Sequence, residues 1–204
     1  MSIRVIIFDL GNVILTNDWH DSVPEKFDEF SKYFRISIGD MERGWAAAWP
    51  RFHKGKITEG KFWEVFLKVA GADKIDVEKA KNIWRKHQRS IENMLGLLRK
   101  LKRNYRLAAI TTVSREWLDY KTERYSLDKY FQVIVSSGYS GLSKPDSKIF
   151  DLAVKRIKIK PDKCLFIDDS ESNLIPARKI GMHTILFRGQ RNLEKELLSL
   201  GIRF

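Results

Sequence analysis

Cysteine is nearly missing from this chain: Cys164 is the only one in 204 residues. A disulfide framework is excluded, and Cys164, inside the apolar stretch KCLFI, reads as a small buried hydrophobe rather than a reactive thiol. That scarcity suits a reducing compartment, so a cytoplasmic location is expected. Long hydrophobic runs are missing too. The opening MSIRVIIFDLG sets one arginine before a short apolar run ending at an acid, too short and wrongly flanked for a signal peptide or membrane span, so a soluble protein is expected. Repeats, low-complexity segments, an arginine-rich tail and nucleic-acid motifs are also lacking. The formal net charge of +12 is therefore read first as a lysine-rich solvated surface, since bases lie near acids in KFDEFSKYF and EKELL. Anionic metabolites are a second use for it, and no nucleic-acid or membrane partner is expected. Abundant Lys and Glu also suit a thermophile, without establishing one.

What is present is enough apolar side chain, 43% of the residues, for one core with a small accessory lobe. Five short runs, Arg4–Phe8, Arg106–Ile110, Gln132–Ser136, Cys164–Ile167 and His183–Phe187, are nearly continuous in apolar residues, the pattern of buried parallel strands. Helical spacing lies between the later ones, at Ser90–Lys102, Ser147–Ile157 and Asn173–Ile180. Alternating strand and helix predict an open α/β sheet, whose active groups gather at the carboxyl ends of its strands. From Thr16 to His87 the alternation stops. Amphipathic segments at Val23–Phe34, Met41–Phe52, Thr58–Val69 and Val77–His87 predict a helical lobe inserted after the first strand. Thr58 suits an N-cap of one of them and Gly71 its end. The expected division is residues 1–15 and 89–204 as the core and 16–88 as the insertion.

Reading the residue after each strand gives the chemistry. Asp9 directly follows apolar residues, where a carboxylate is costly unless a metal, a cation or backbone donors satisfy it. Its other use is to cap a turn or helix. The fourth strand ends in Asp168 and Asp169, whose mutual repulsion a divalent cation with oxygen ligands would offset. Capping the helix near Ser172 is their alternative. With the first and fourth strands as neighbours, Asp9 and Asp169 could meet around one magnesium, a backbone carbonyl near Gly11 adding a ligand. Thr111 and Thr112 end the second strand and offer hydroxyl and N–H groups to an anion. Lys144, in GLSKPDSKIF, is placed to neutralise both a nucleophile and a phosphate, where a solvated lysine is the ordinary reading. Pro145 after it holds the preceding backbone extended.

The ordered set FDLGNV, AITTVS, SKPD and FIDDSESNLIPARKIGM resembles the haloacid dehalogenase superfamily, in the branch with a helical cap inserted after the first motif. The segment HKGKITEGKFW is similar to one found in such caps. The resemblance covers essentially the whole chain and implies a three-layer, Rossmann-like parallel sheet with a small helical cap. It implies that Asp9 is a nucleophile taking a phosphoryl group and that Thr111 binds phosphate, with Thr112 beside it. It further implies that Lys144 pairs with both, that Asp169 ligates magnesium directly and that Asp168 supports it. The expected activity is a magnesium-dependent phosphatase of small phosphorylated metabolites acting through an aspartyl phosphate.

Two positions depart from that pattern. Most such phosphatases carry a second Asp two residues after the nucleophile as general acid and base, and here that position is Gly11. Losing it costs roughly 100- to 10,000-fold with a poor leaving group. Asp18 and His20 are reserve candidates for its role. Thr112, with Val113, stands where relatives often place Asn. The competing readings are a catalytically weak or inactive member that binds a phosphometabolite or a partner, which Gly11 favours, and a 2-haloacid dehalogenase. The acidic pair at the fourth strand argues against the dehalogenase. Most of Trp45, Trp49, Phe52, Phe62 and Trp63 are expected to pack the cap, with some free to line the substrate site. The sequence does not specify an oligomeric state.

Overall fold

A computed structural model describes residues 3–16, 19, 24–91 and 93–204. Asp18 and His20 lie outside them. Five parallel strands, β1 (Val5–Phe8), β2 (Arg106–Thr111), β3 (Val133–Ser136), β4 (Cys164–Asp168) and β5 (His183–Leu186), form one sheet in the order β3-β2-β1-β4-β5. All four residues of β1 are fully buried because the strand has neighbours on both edges and helices on both faces. Its pleat divides the core. Ile6 and Phe8 enter one hydrophobic cluster and Val5 and Ile7 the other, as period-two alternation requires.

The helices follow the apolar periodicity closely. α1 (Pro24–Phe34), α2 (Ile38–Phe52), α3 (Glu59–Ala70) and α4 (Val77–Lys86) separate β1 from α5 (Met94–Leu101) and β2. The Thr58 side chain accepts from Lys61 N and Gly71 ends α3 at φ 72°, so both expected caps are in place. α8 (Ser147–Ile157) and α9 (Glu171–Lys179) pack on the Val5 and Ile7 face. α6 (Arg115–Tyr125), the single turn α7 (Ser137–Ser140) and α10 (Gln190–Ser199) are additions to the sequence reading. Charged residues recur through α6, so its apolar stripe shrinks to Trp117 and Leu118. No helix among the described residues is long and apolar enough to cross a membrane.

The helical run and the Ile6 and Phe8 face of the sheet share one continuous hydrophobic cluster. Trp117, on α6, packs against Phe52 at 5.0 Å and Trp84 at 5.9 Å between ring centroids. Its Nε1–H donates to buried Glu59 at 2.9 Å, and Arg85 also donates to that carboxylate. A buried carboxylate with these donors is satisfied, so it can lie inside an aromatic layer. The segments entering and leaving the helical run pair with each other. Thr16 N donates to Arg89 O at 2.8 Å and Ile91 N to Ile14 O at 2.9 Å.

The loop after α2 meets the sheet side through backbone, with Ser137 Oγ donating to His53 O at 2.6 Å. Gly55 adopts φ +67°, and a Cβ there would lie 2.4 Å from Gly138 O. Gly55→Ala should therefore lower stability by about 1–3 kcal/mol, from overpacking and left-handed strain. Gly96→Ala in α5, where a Cβ meets nothing within 4 Å, should raise it by up to about 1 kcal/mol. Urea midpoints of the two variants check this, and equal shifts would refute the close approach.

Candidate active site

In a doubly wound sheet the crevice opens at the carboxyl edge where the strand order reverses. Here that point lies between β1 and β4. Register carries the acids to it, because Phe8 pairs with Ile167 and the next residues along are Asp9 and Asp168. Asp9 N donates to Ile167 O at 2.9 Å, which fixes the first residue past the strand.

Lys144 arrives from the segment before α8 and is almost wholly buried. Its Nζ lies 2.9 Å from Asp9 Oδ1 and 2.6 Å from Asp168 Oδ2. The Lys144–Pro145 peptide bond is cis. Burial alone would push the ammonium pKa down, but the flanking charges of Asp9 and Asp168 hold it above its ordinary value, so the group is cationic.

The two adjacent acids are used differently. Asp168 is fully buried, and Oδ1 accepts from Ser170 N and Asn173 Nδ2, each at 2.9 Å, while Oδ2 takes Lys144. Asp169 is exposed and accepts from Asn12 Nδ2 at 3.0 Å. Asn12 has φ 55°, a left-handed turn that Asn tolerates better than most residues. Within that turn Ile14 N and Leu15 N donate to Leu10 O and Asn12 N to Leu15 O. The Gly11 carbonyl, beside the cavity, is left uncommitted by these bonds.

One carboxylate oxygen from each of Asp9, Asp168 and Asp169 lies within 4.8 Å of the others. Burial pushes the Asp9 carboxyl up to about 6; Lys144 opposes this and Asp168 adds to it. Although Asp169 is exposed at the crevice mouth, partial desolvation of its carboxyl raises it too, against its hydrogen bond from Asn12. Three crowded carboxylates balanced by one ammonium form an oxygen-only donor set, which fits a hard divalent cation and would not suit a soft one.

Around the cluster is a cavity of about 290 Å³. Thr111 and Thr112 line it from the end of β2, and the buried Thr112 Oγ1 has no hydrogen-bond partner among the described residues. The sequence residues Asp9, Gly11, Thr111, Thr112, Lys144 and Asp169 all reach this cavity, with Asp168 buried behind it. Of the five aromatics considered for the lining, Trp49 alone reaches it; Phe52, Phe62 and Trp63 are fully buried. Missed by sequence reasoning were Asn12, Asn173 and Lys121. Lys121 is a buried lysine on α6 that also lines the cavity. The two asparagines lay within the quoted motifs, but nothing in their spacing told a donor from a turn residue. Lys121 carried no signal, being one of many surface-type lysines until the helix is placed.

The family model for haloacid dehalogenase-like hydrolases matches residues 3–181. Drimenol cyclase drtB of Aspergillus calidoustus is 26% identical over 97% of this chain, which spans only 36% of that protein. Flavin mononucleotide hydrolase 1 of Arabidopsis thaliana is 27% identical, covering 97% of this chain and 78% of its own. A family enzyme from Bacteroides thetaiotaomicron, solved in complex with magnesium and inorganic phosphate, superposes with a TM-score of 0.76 at 21% identity. That match covers 90% of this chain and 93% of the enzyme. On the family match, with the strand-end acids and lysine already in place, the chain belongs to the haloacid dehalogenase-like hydrolases.

Proposed function

We propose that the chain is a magnesium-dependent phosphatase of small phosphorylated metabolites, working through an aspartyl phosphate on Asp9. The observation that carries this reading is the Lys144 ammonium held between Asp9 and Asp168 at the edge of a three-carboxylate cluster. Asp9 is the group of that cluster that faces the cavity from the central strand, and its Oδ1 is fixed by Lys144 and Leu10 N. Its other oxygen is then aimed rather than freely rotating, which favours in-line attack on phosphorus. The phosphorus to leaving-oxygen bond breaks as the new bond forms, and water later hydrolyses the aspartyl phosphate. Lys144 neutralises the transferred group, and Thr111 and Thr112 supply hydroxyls to its oxygens.

Asp169 and Asp9, with the Gly11 carbonyl, would hold magnesium; bound there it supplies further neutralisation of phosphoryl charge. Asp168, whose oxygens already accept from Lys144, Ser170 and Asn173, serves chiefly to position Lys144 and the loop. The flavin mononucleotide hydrolase relative and the structural neighbour with magnesium and phosphate support a phosphoryl substrate. Gly11 gives no proton to the leaving group, which favours the weaker-catalyst reading. The intact set of Asp9, Lys144, Asp168 and Asp169 weighs against an inactive one.

Hydrolysis of an aryl phosphate should require magnesium, stop with a chelator and return when the metal is restored. Asp9→Asn should fall to background under the same assay, and turnover by that variant would refute the nucleophile assignment. Lys144→Met should lose roughly 10²- to 10³-fold in kcat, with circular dichroism confirming that the fold survives. Thr112→Val should leave the melting temperature unchanged or raised, because its hydroxyl has no hydrogen-bond partner among the described residues. The same change should weaken inorganic phosphate binding by about 0.5–1.5 kcal/mol; unchanged affinity would remove Thr112 from the site.

A further inference from the structure

The cavity over Asp9 has two kinds of wall. Almost all of its lining comes from the strand ends and from helices α6 and α9, and is polar: carboxylates, lysines, hydroxyls and Asn173. Among the described residues, one side chain from helices α1 to α4 reaches it, that of Trp49 on α2. Apart from Val113 it is also the only apolar side chain in the lining among the described residues.

Trp49 is a fixed surface. Its ring stacks on Trp45 at 4.6 Å and 20° and lies 5.8 Å from Trp117 and 5.2 Å from His53. Those neighbours are themselves locked, since Trp45 also stacks on Trp19 at 4.5 Å and Trp117 is held by Glu59 at 2.9 Å. The indole nonetheless stays half-buried rather than buried, unlike Phe52 one turn along the same helix. A large aromatic kept partly open beside a polar cavity, in a cluster that could have covered it, offers contact area with little ordering cost.

Resting on the phosphatase reading, we infer that Trp49 is the specificity-determining residue of this site and that it selects phosphate monoesters bearing a planar ring. The phosphoryl end is recognised by Lys144, Thr111 and Thr112, which every phosphate satisfies alike. Discrimination falls to the wall that meets the rest of the substrate, where a flat unsaturated group matches the indole and a flexible polyol chain does not. A cavity of about 290 Å³ lies at the small end for ligand sites, consistent with a phosphate and one ring rather than an extended molecule.

The test separates binding from turnover. With Asp9→Asn as the background and magnesium present, calorimetry compares phenyl phosphate, glycerol phosphate and inorganic phosphate. Phenyl phosphate should bind roughly five- to tenfold more tightly than the other two. Adding Trp49→Leu should abolish that preference and Trp49→Phe should keep most of it, with inorganic phosphate affinity unchanged in both. In the otherwise native enzyme, Trp49→Leu should raise KM for aryl phosphates by a larger factor than it raises KM for acetyl phosphate. Equal binding of all three ligands, or a uniform loss in Trp49→Leu with Trp49→Phe failing to rescue, overturns the inference while leaving the phosphatase reading intact. A ring preference that depends on Trp49 in a protein that hydrolyses no phosphate upholds the inference and sinks the phosphatase reading.

Discussion

The Lys144 ammonium, almost wholly buried between Asp9 and Asp168, is the interaction on which the site depends. Three carboxylates with oxygens within 4.8 Å of one another would not remain ionised in a buried crevice without a compensating charge. The lysine stabilises the two most buried of them and in turn keeps its own proton because of them. Its geometry follows from the segment leading into α8, which brings it to the carboxyl edge of the sheet, and from β4, which delivers Asp168 next to Asp9. The amide of Ser170 and the side chain of Asn173 then complete Asp168 from below. The charge left over is negative and faces the cavity, which suits a divalent cation with oxygen ligands.

The aromatic layer does for the other wall what Lys144 does for the floor. Trp117 projects from the sheet side into the rings of α2, α3 and α4, and Glu59 fixes it by accepting its indole N–H. The backbone contacts of His53 and Gly55 with Ser137 and Gly138 tie the loop after α2 to the same region. Apolar burial at roughly 25 cal/mol per Å² holds these helices over the strand ends. The satisfied carboxylate sets their register, since a slip would leave Glu59 buried without donors. Trp49 inherits its position from that packing.

The five strands and the α/β order were legible because continuous apolar runs have few other uses in a chain this polar. The helix caps at Thr58 and Gly71 were legible for the same local reason: a side-chain acceptor and a left-handed residue are both chemical properties of one position. α6 was not, because its charged residues hide an apolar stripe two residues wide. Lys121 shows the limit plainly. Nothing in YKTERY separates it from the solvated lysines, and only the placement of α6 against the crevice turns it inward.

The sequence by itself determined which groups the site could use. A carboxylate or hydroxyl directly after a buried strand must stand at the sheet edge, so Asp9, Thr111, Asp168 and Asp169 were committed to that edge by covalent neighbourhood alone. Gly11 equally removed the expected acid. Tertiary structure decided the division of labour. It made Asp168 a buried partner of Lys144 and left Asp169 exposed beside Asn12, although the two acids are adjacent in sequence. It also left Trp49 open where Phe52 is closed. Strand register and helix packing set those outcomes, because burial and hydrogen-bond partners depend on what the rest of the chain brings to each face.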